Sequence, residues 1–332
     1  MALIDSFGRS ITYLRVSVTD RCNMKCLYCR VGDERQGVES HELLNFEELT
    51  RLIRIFSELG IEKIRFTGGE PLLRKNLVAL VDAVSHLPGI GEVSLSTNAL
   101  LLERFASELK VAGLRRVNIS LDSLNAETFS RVTRGGRLDV VLRGIRAAVT
   151  TGLSPVKVNM VVMRGVNDDE IPAMVAFARQ EGLILRFIET MPIGEAGMRM
   201  EQTFMPASEI LHRVRESLGT EEVSTEGPNP SGNGPANYFF HTGSNTTIGI
   251  ISAKSRNFCE TCNRMRLTSR GALVFCLGRT GRMDLKDPLR KGDSDSRIRE
   301  LVLQAVRDKP EGHGFADELH GNSPHAMSRL GG

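Results

Sequence analysis

From residue 13 to about residue 190 the chain alternates between two hydrophobic rhythms. Six short runs are β-branched and repeat every second residue: "YLRVSVT" (13–19), "KIRFTGG" (63–69), "EVSLSTN" (92–98), "RVNISLD" (116–122), "VKVNMVV" (156–162) and "LRFIET" (185–190). That rhythm predicts strands. Between the runs, apolar residues recur with helical spacing. Two such stretches, "FEELTRLIRIFSELG" and "LDVVLRGIRAAVTTG", end at Gly60 and Gly152, where a helix C-cap favours positive φ. Strand and helix alternating at this spacing predict a parallel sheet joined by right-handed crossovers. Six such units without a seventh predict an α/β fold, a partial (βα)6 TIM-like barrel that stays open.

Alternate side chains of a strand share a face. Arg15, Ser17 and Thr19 therefore lie together, as do Arg65 with Thr67, Ser94 with Ser96 and Asn98, Asn118 with Ser120 and Asp122, and Lys157 with Asn159. The opposite faces are apolar, as in Leu14, Val16 and Val18 or Val117, Ile119 and Leu121. A polar face on water is usual in antiparallel sheets. A crossover-built sheet is covered by helices, and in a barrel its other face is internal. The polar faces are therefore expected to line a solvated or ligand-filled cavity.

Periodicity disappears at "TEEVSTEGPNPSGNGPAN" (220–237), where Gly, Pro, Asn and Ser accumulate as in a loop or linker. Beyond it, "YFFHTGSNTTIGIISA" and "MRLTSRGALVFCL" predict short strands, the second a hairpin around Arg270-Gly271. Residues 1–219 are thus expected to form the barrel domain and 220–332 a smaller C-terminal module. After residue 285 the chain is polar, with one helical segment, "DSRIRELVLQAV", and it ends in "SRLGG".

Composition narrows the class. Of 332 residues, 41% are hydrophobic and 25% charged, as in a globular protein. No apolar run approaches the ~20 residues of a membrane helix. The first residues lack a basic region followed by an apolar stretch, so no secretory signal is read. A cytoplasmic location is expected, where thiols serve metals or catalysis more often than disulfides. The net charge of +3 is too small to argue for nucleic acid, and without Trp a stacking platform is thin.

The six cysteines fall into two triplets: Cys22, Cys26 and Cys29, then Cys259, Cys262 and Cys276. Structural zinc takes four ligands, commonly from paired C-x2-C knuckles. The first triplet is C-x3-C-x2-C with no histidine nearby, and pooling all six thiols gives too many ligands for one zinc. Iron–sulfur clusters are generally held by four thiolates. Three thiolates on a four-iron cube leave one iron open to a substrate or cofactor. Position agrees, because barrel chemistry gathers at the carboxyl ends of strands. Cys22 follows the first predicted strand, and "TGGEP" (67–71) ends the second at the same end. Its glycines are expected to let backbone approach a ligand closely. The second triplet, C-x2-C-x13-C, is again one ligand short. Arg264 and Arg266 follow it, with Arg270, Arg279 and Arg282 beyond. Such a run is most often a solvated basic face. Beside an open cluster, a polyanionic substrate fits better, because the guanidinium fork suits phosphate oxygens and Arg15, Arg65 and Lys157 add charge from the cavity.

"CNMKCLYC" followed by "TGGEP" resembles the radical S-adenosylmethionine (SAM) superfamily. The resemblance implies that Cys22, Cys26 and Cys29 hold a 4Fe-4S cluster whose fourth iron is chelated by the amino and carboxylate groups of SAM. It also implies reductive cleavage to a 5′-deoxyadenosyl radical, with Tyr28 near the adenine. Together with "IRFTGGEPLLR", "LRRVNISLDSL", "VKVNMVVMRGVND", "RFIETMPIG", "FCETCNRMRLTSRG" and the final Gly331-Gly332, the chain resembles the GTP 3′,8-cyclase family of molybdenum cofactor biosynthesis. That resemblance implies a second 4Fe-4S cluster on Cys259, Cys262 and Cys276. It implies SAM contacts at Tyr28, Gly69, Ser120 and Met191. GTP contacts are implied at Arg15, Arg65, Ser96, Lys157, Arg264 and Arg266, with guanine reaching the open iron of the second cluster. Ser96 stands where the family pattern has threonine, and the hydroxyl is kept. Catalytic roles are implied for Arg266 and for the tail, Gly331 and Gly332. The implied reaction is hydrogen abstraction from ribose C3′, attack on guanine C8 and reduction to 3′,8-cyclo-7,8-dihydro-GTP. A homodimer, a flavodoxin or ferredoxin donor and the downstream cyclic pyranopterin monophosphate synthase are the implied partners, without nucleic acid or membrane. The rival classes are a peptide-modifying radical SAM enzyme, which usually carries more C-terminal cysteines, and a metal-stabilised nucleic-acid binder.

Overall fold

The computed structural model describes residues 3–30, 40–218, 223–225, 234–241, 243–244, 246–315 and 327–330. Six strands form where the two-residue rhythm predicts them: β1 (Tyr13–Ser17), β2 (Lys63–Thr67), β3 (Glu92–Thr97), β4 (Arg116–Ser120), β5 (Lys157–Val162) and β6 (Ile184–Glu189). They pair in chain order and in parallel. The crossovers carry α1 (Phe46–Glu58), α2 (Leu77–Ser85), α3 (Leu102–Val111), α4 (Ala126–Thr133), α5 (Leu138–Thr150) and α6 (Ile171–Gln180), and α7 (Gly194–Arg199) and α8 (Ala207–Leu218) follow β6.

Local sequence sets these elements. Asn45 caps α1 by accepting from Glu48 N at 2.7 Å, while the Glu48 carboxylate accepts from Asn45 N at 2.8 Å. This reciprocal pair satisfies two donors that the first helical turn leaves open. Leu49, Leu52, Ile53 and Phe56 form the buried stripe, and the chain turns away at Gly60 with φ 106°. The apolar faces of the strands, among them Leu14, Val16, Phe66, Leu95, Ile119, Met160 and Phe187, belong to the same buried core as these helices. Each such side chain contributes about 1.5–3 kcal/mol by leaving water. Truncating one of them, as in Phe66→Ala, would cost about 3–5 kcal/mol.

The C-terminal elements are β7 (Val223–Ser224), β8 (Asn237–His241), β9 (Thr246–Ile251), β10 (Arg264–Leu267), β11 (Ala272–Val274), β12 (Arg282–Asp284), α9 (Lys286–Arg290), α10 (Asp295–Arg307) and α11 (Met327–Leu330). Their strands extend the barrel sheet at both edges instead of building a second one. β9 pairs in parallel with β6, and β10 pairs in parallel with β1. The order is β12-β11-β10-β1-β2-β3-β4-β5-β6-β9-β8-β7, and no pairing joins β7 to β12 among the described residues. The predicted hairpin at Arg270-Gly271 joins β10 to β11, with Gly271 at φ 85°. Most of the Gly/Pro-rich stretch at 220–237 lies outside the described residues. No helix among them is long and apolar enough to cross a membrane.

Candidate active site

The first cysteine triplet sits in the loop that leaves the carboxyl end of β1. Its seat is the turn after β2: Gly69 N donates to Thr19 O at 2.7 Å and Glu70 N to Arg21 O at 2.7 Å. A Cβ on Gly69 would stand 2.3 Å from Arg21 O, and one on Gly68 2.6 Å from Thr19 O. The glycines of "TGGEP" therefore serve the approach of the cysteine loop itself. Both glycines also line the cavity. Buried Glu70 accepts from Leu72 N, Asn98 N and the Thr97 hydroxyl at 2.7–3.0 Å; burial nevertheless pushes its carboxyl up to about 7. Asn98 in turn donates to Cys22 Sγ at 3.7 Å and to Asn23 Oδ1 at 2.7 Å. On the other side, Lys25 N and Leu27 N donate to Thr133 O and Val132 O at the end of α4, both at 3.0 Å. The Tyr28 phenol donates to Asp122 at 2.7 Å.

The second triplet lies at the opposite end of the strands. Cys259 and Cys262 precede β10, whose first residue Arg264 is level with Tyr13 at the start of β1. Cys276 follows antiparallel β11 and so returns to that end. Arg9 ties the Cys259 turn down, donating to Cys259 O at 2.9 Å, Glu311 O at 2.6 Å and Pro310 O at 2.6 Å. His313 N donates to Cys259 Sγ at 3.4 Å, and buried Lys309 Nζ donates to Phe275 O at 2.8 Å. Burial raises the Cys262 thiol, but the charges of Arg264 and Lys309 together with hydrogen bonding by Arg264 bring it down to about 7. Burial raises the thiols of Cys22, Cys26 and Cys276.

None of the six cysteines is in a disulfide, and all line one cavity of about 350 Å³. No three Cys, His, Asp or Glu side chains among the described residues converge as they would on a single ion. A four-iron cube places its cysteines on different irons, so its thiolates stand apart instead of meeting at one point. Three cavity-lining thiols at each end suit such a cube with one iron left open. Tyr13 Oη, Thr67 Oγ1 and Asn263 Oδ1 are buried against the cavity with no hydrogen-bond partner, which native interiors rarely tolerate without a bound group.

Between the two ends the cavity wall is cationic. Arg15, Arg65, Lys157, Arg264 and Arg266 line it, together with Arg186 and Arg116. Burial and the neighbouring guanidinium groups hold Arg15 well below its ordinary range, and burial followed by Arg264 brings Arg266 to about 10. Lys157 is brought to about 6 by burial and then by Arg186, Arg116 and Arg65. Such depression marks positive charge packed in a site that a polyanion would relieve. Asn118 links two of these cations, its amide oxygen accepting from Arg65 and from Arg186, the latter at 2.9 Å.

The structure brings Tyr28, Gly69, Ser96, Ser120 and Met191 to the same cavity wall. Arg270, Arg279 and Arg282 do not line it, which corrects the expectation that the whole arginine run faces a polyanion. Arg270 sits on a turn and pairs with Glu42 at 3.2 Å, Arg279 donates to Gly312 O at 3.4 Å, and Arg282 begins edge strand β12. Gly331 and Gly332 lie outside the described residues; Leu330 just before them is buried with Ile193 and Val274, and Met327 lines the cavity. Sequence reasoning missed Tyr13, Asp122 as the Tyr28 acceptor, Arg186 and Tyr238.

A (βα)6 sheet with three thiols after its first strand is the arrangement of the radical SAM class, and residues 16–178 match the family described as Radical SAM superfamily. Residues 183–315 match the family described as Molybdenum Cofactor Synthesis C. Among curated relatives, the GTP 3′,8-cyclase of Hydrogenovibrio crunogenus is 47% identical over 334 residues, covering 100% of both chains. That of Heliobacterium modesticaldum is 47% identical, covering 99% of this chain and 100% of its own. The chain belongs to the GTP 3′,8-cyclase family. Solved structures agree on the fold alone. The crystal structure of Streptococcus suis SuiB gives a TM-score of 0.63 at 14% identity, covering 93% of this chain and 68% of that one. Native anSMEcpe with bound AdoMet gives 0.61 at 15%, covering 91% and 82%.

Proposed function

We propose that this protein is a radical SAM lyase that converts GTP into (8S)-3′,8-cyclo-7,8-dihydroguanosine 5′-triphosphate, the first step of molybdenum cofactor biosynthesis. The observation that carries this reading is a pair of incomplete thiol triplets at opposite ends of one cationic cavity. Its cofactors are two 4Fe-4S clusters and SAM. Cys22, Cys26 and Cys29 hold one cluster, and Cys259, Cys262 and Cys276 the other. When bound, the first cluster and SAM supply a carbon radical able to take the ribose 3′ hydrogen.

The chain's own residues bind, orient and enclose. SAM lies against Tyr28, Gly69, Ser120 and Met191. GTP lies against Arg15, Arg65, Ser96, Lys157, Arg264 and Arg266, whose charges answer its phosphates and draw it between the two triplets. Arg266 holds the proton needed in the last reduction. Leu330 is buried with Ile193 and Val274, and catalytic roles are assigned to Gly331 and Gly332, which follow it in the sequence. Closing the cavity keeps water and stray hydrogen donors from the reacting carbon. In this reading residues 1–219 carry the SAM chemistry and 220–332 the second cluster. The protein acts as a cytoplasmic homodimer, takes electrons from flavodoxin or ferredoxin, and hands its product to cyclic pyranopterin monophosphate synthase.

The test is anaerobic incubation of reconstituted, reduced protein with SAM, with and without GTP. GTP-dependent formation of 5′-deoxyadenosine and of the cyclised nucleotide is expected. A peptide modifier or a nucleic-acid binder would give neither.

A further inference from the structure

One side of the cationic cavity is closed by a residue of the C-terminal hairpin. Tyr238 on β8 stands opposite Gly249 of β9, and Gly249 is level with Arg186 of β6. Lys157 Nζ donates to the Tyr238 hydroxyl at 3.2 Å and lies 5.5 Å from its ring centroid. Arg186, which donates to Asn159 Oδ1 at 2.8 Å, lies beside the same ring where both pass over Gly249. One phenol therefore sets the spacing between the cations contributed by β5 and β6. The packing depends on a missing side chain: a Cβ at Gly249 would stand 2.9 Å from Arg186 Cγ and 3.0 Å from Tyr238 Cε1.

Position gives this trio its meaning. Arg264 and Arg266 belong to β10, Arg15 to β1 and Arg65 to β2, whereas Lys157 and Arg186 stand farther along the sheet on β5 and β6. A nucleotide with its base at the second cysteine triplet, beside β10, runs its phosphates away from β10. The cations reached last meet the terminal phosphate. We propose that Tyr238 is a specificity-determining residue, holding Lys157 and Arg186 as one cradle so that the cavity takes a nucleoside triphosphate in preference to a diphosphate. This rests on the GTP reading above and assigns its phosphate end.

The test is anaerobic equilibrium dialysis of cluster-loaded protein against GTP and against GDP. Tyr238→Phe keeps the ring and its packing but removes the hydroxyl. It should weaken GTP about 10-fold and GDP no more than about twofold, the size expected for hydrogen bonds to charged groups. Gly249→Ala, which displaces Tyr238 and Arg186 without altering either, should also weaken GTP more than GDP. Equal losses for both nucleotides, or no loss, overturn the proposal. If wild-type protein forms GTP-dependent 5′-deoxyadenosine while discrimination is unaltered in both variants, this proposal alone fails. If wild-type protein binds neither nucleotide, the GTP reading fails with it.

Discussion

The Tyr28 phenol donates to the Asp122 carboxylate at 2.7 Å, and the other oxygen of Asp122 accepts from Val161 N at 2.9 Å. The cysteine loop is thereby fastened to the ends of β4 and β5, across the barrel from β1. Asp122→Ala strands the buried phenol, at a cost of about 1–3 kcal/mol. Weaker SAM binding and lower iron content at the first triplet are expected, measured by dialysis and iron assay. Iron content and SAM affinity equal to wild type would remove Asp122 from this role.

Gly69 supports the same loop from below. Because an added Cβ would fall 2.3 Å from Arg21 O and 2.9 Å from Asp20 O, Gly69→Ala must push the backbone before Cys22 out of place. The expected result is a folded barrel that loads only the second cluster, about four iron atoms instead of about eight. Full iron loading would show that the loop can yield.

How far the sequence discloses this site depends on whether the deciding contact is local. Strands β1–β6 follow directly from two-residue alternation, and so does the inward face carrying Arg65, Asn118 and Lys157. Arg186 obeys the same alternation, between apolar Leu185 and Phe187, and is level with Asn159. Tyr238 has no local signature of its role, because it reaches the cavity only through the pairing of β9 with β6. The pairing of Tyr13 with Arg264 joins the two ends of the chain, and no sequence period encodes it. It explains why the arginine run divides: Arg264 and Arg266 alternate inward on β10, whereas Arg270 falls on the following turn.

Arg9 holds the second triplet from a distance. Its ion pair with Asp5 at 2.6 Å orients the guanidinium toward Cys259 O, Pro310 O and Glu311 O. Arg9→Ala frees the Cys259 turn from residues 310 and 311. Iron content should drop from about eight to about four atoms per chain, with SAM cleavage kept and cyclised product lost. Undiminished iron would contradict the assignment.

Lys157 gives the protein a proton linkage. Its ordinary value is 10.5 and its value in the folded cavity is about 6, lowered by burial and then by Arg186. Between those values the unfolded chain carries a proton that the folded chain lacks. The group's penalty is thus complete below about pH 6 and fades as pH rises toward 10. A bound polyanion recharges the amine. Near pH 7.5, GTP binding should take up about one proton in wild type and none in Lys157→Met. Calorimetry in two buffers of different ionisation enthalpy measures this, and equal uptake by both proteins would place the titrating group elsewhere.

The most direct test of the whole account follows one hydrogen atom. Reduced protein is incubated anaerobically with SAM and GTP deuterated at ribose C3′, and the 5′-deoxyadenosine formed is weighed by mass spectrometry. Deuterium in the 5′-deoxyadenosine, with none transferred from GTP deuterated elsewhere on the ribose, is the predicted result. Unlabelled 5′-deoxyadenosine, formed at the same rate whether or not GTP is present, would contradict the placement of one nucleotide between the two triplets.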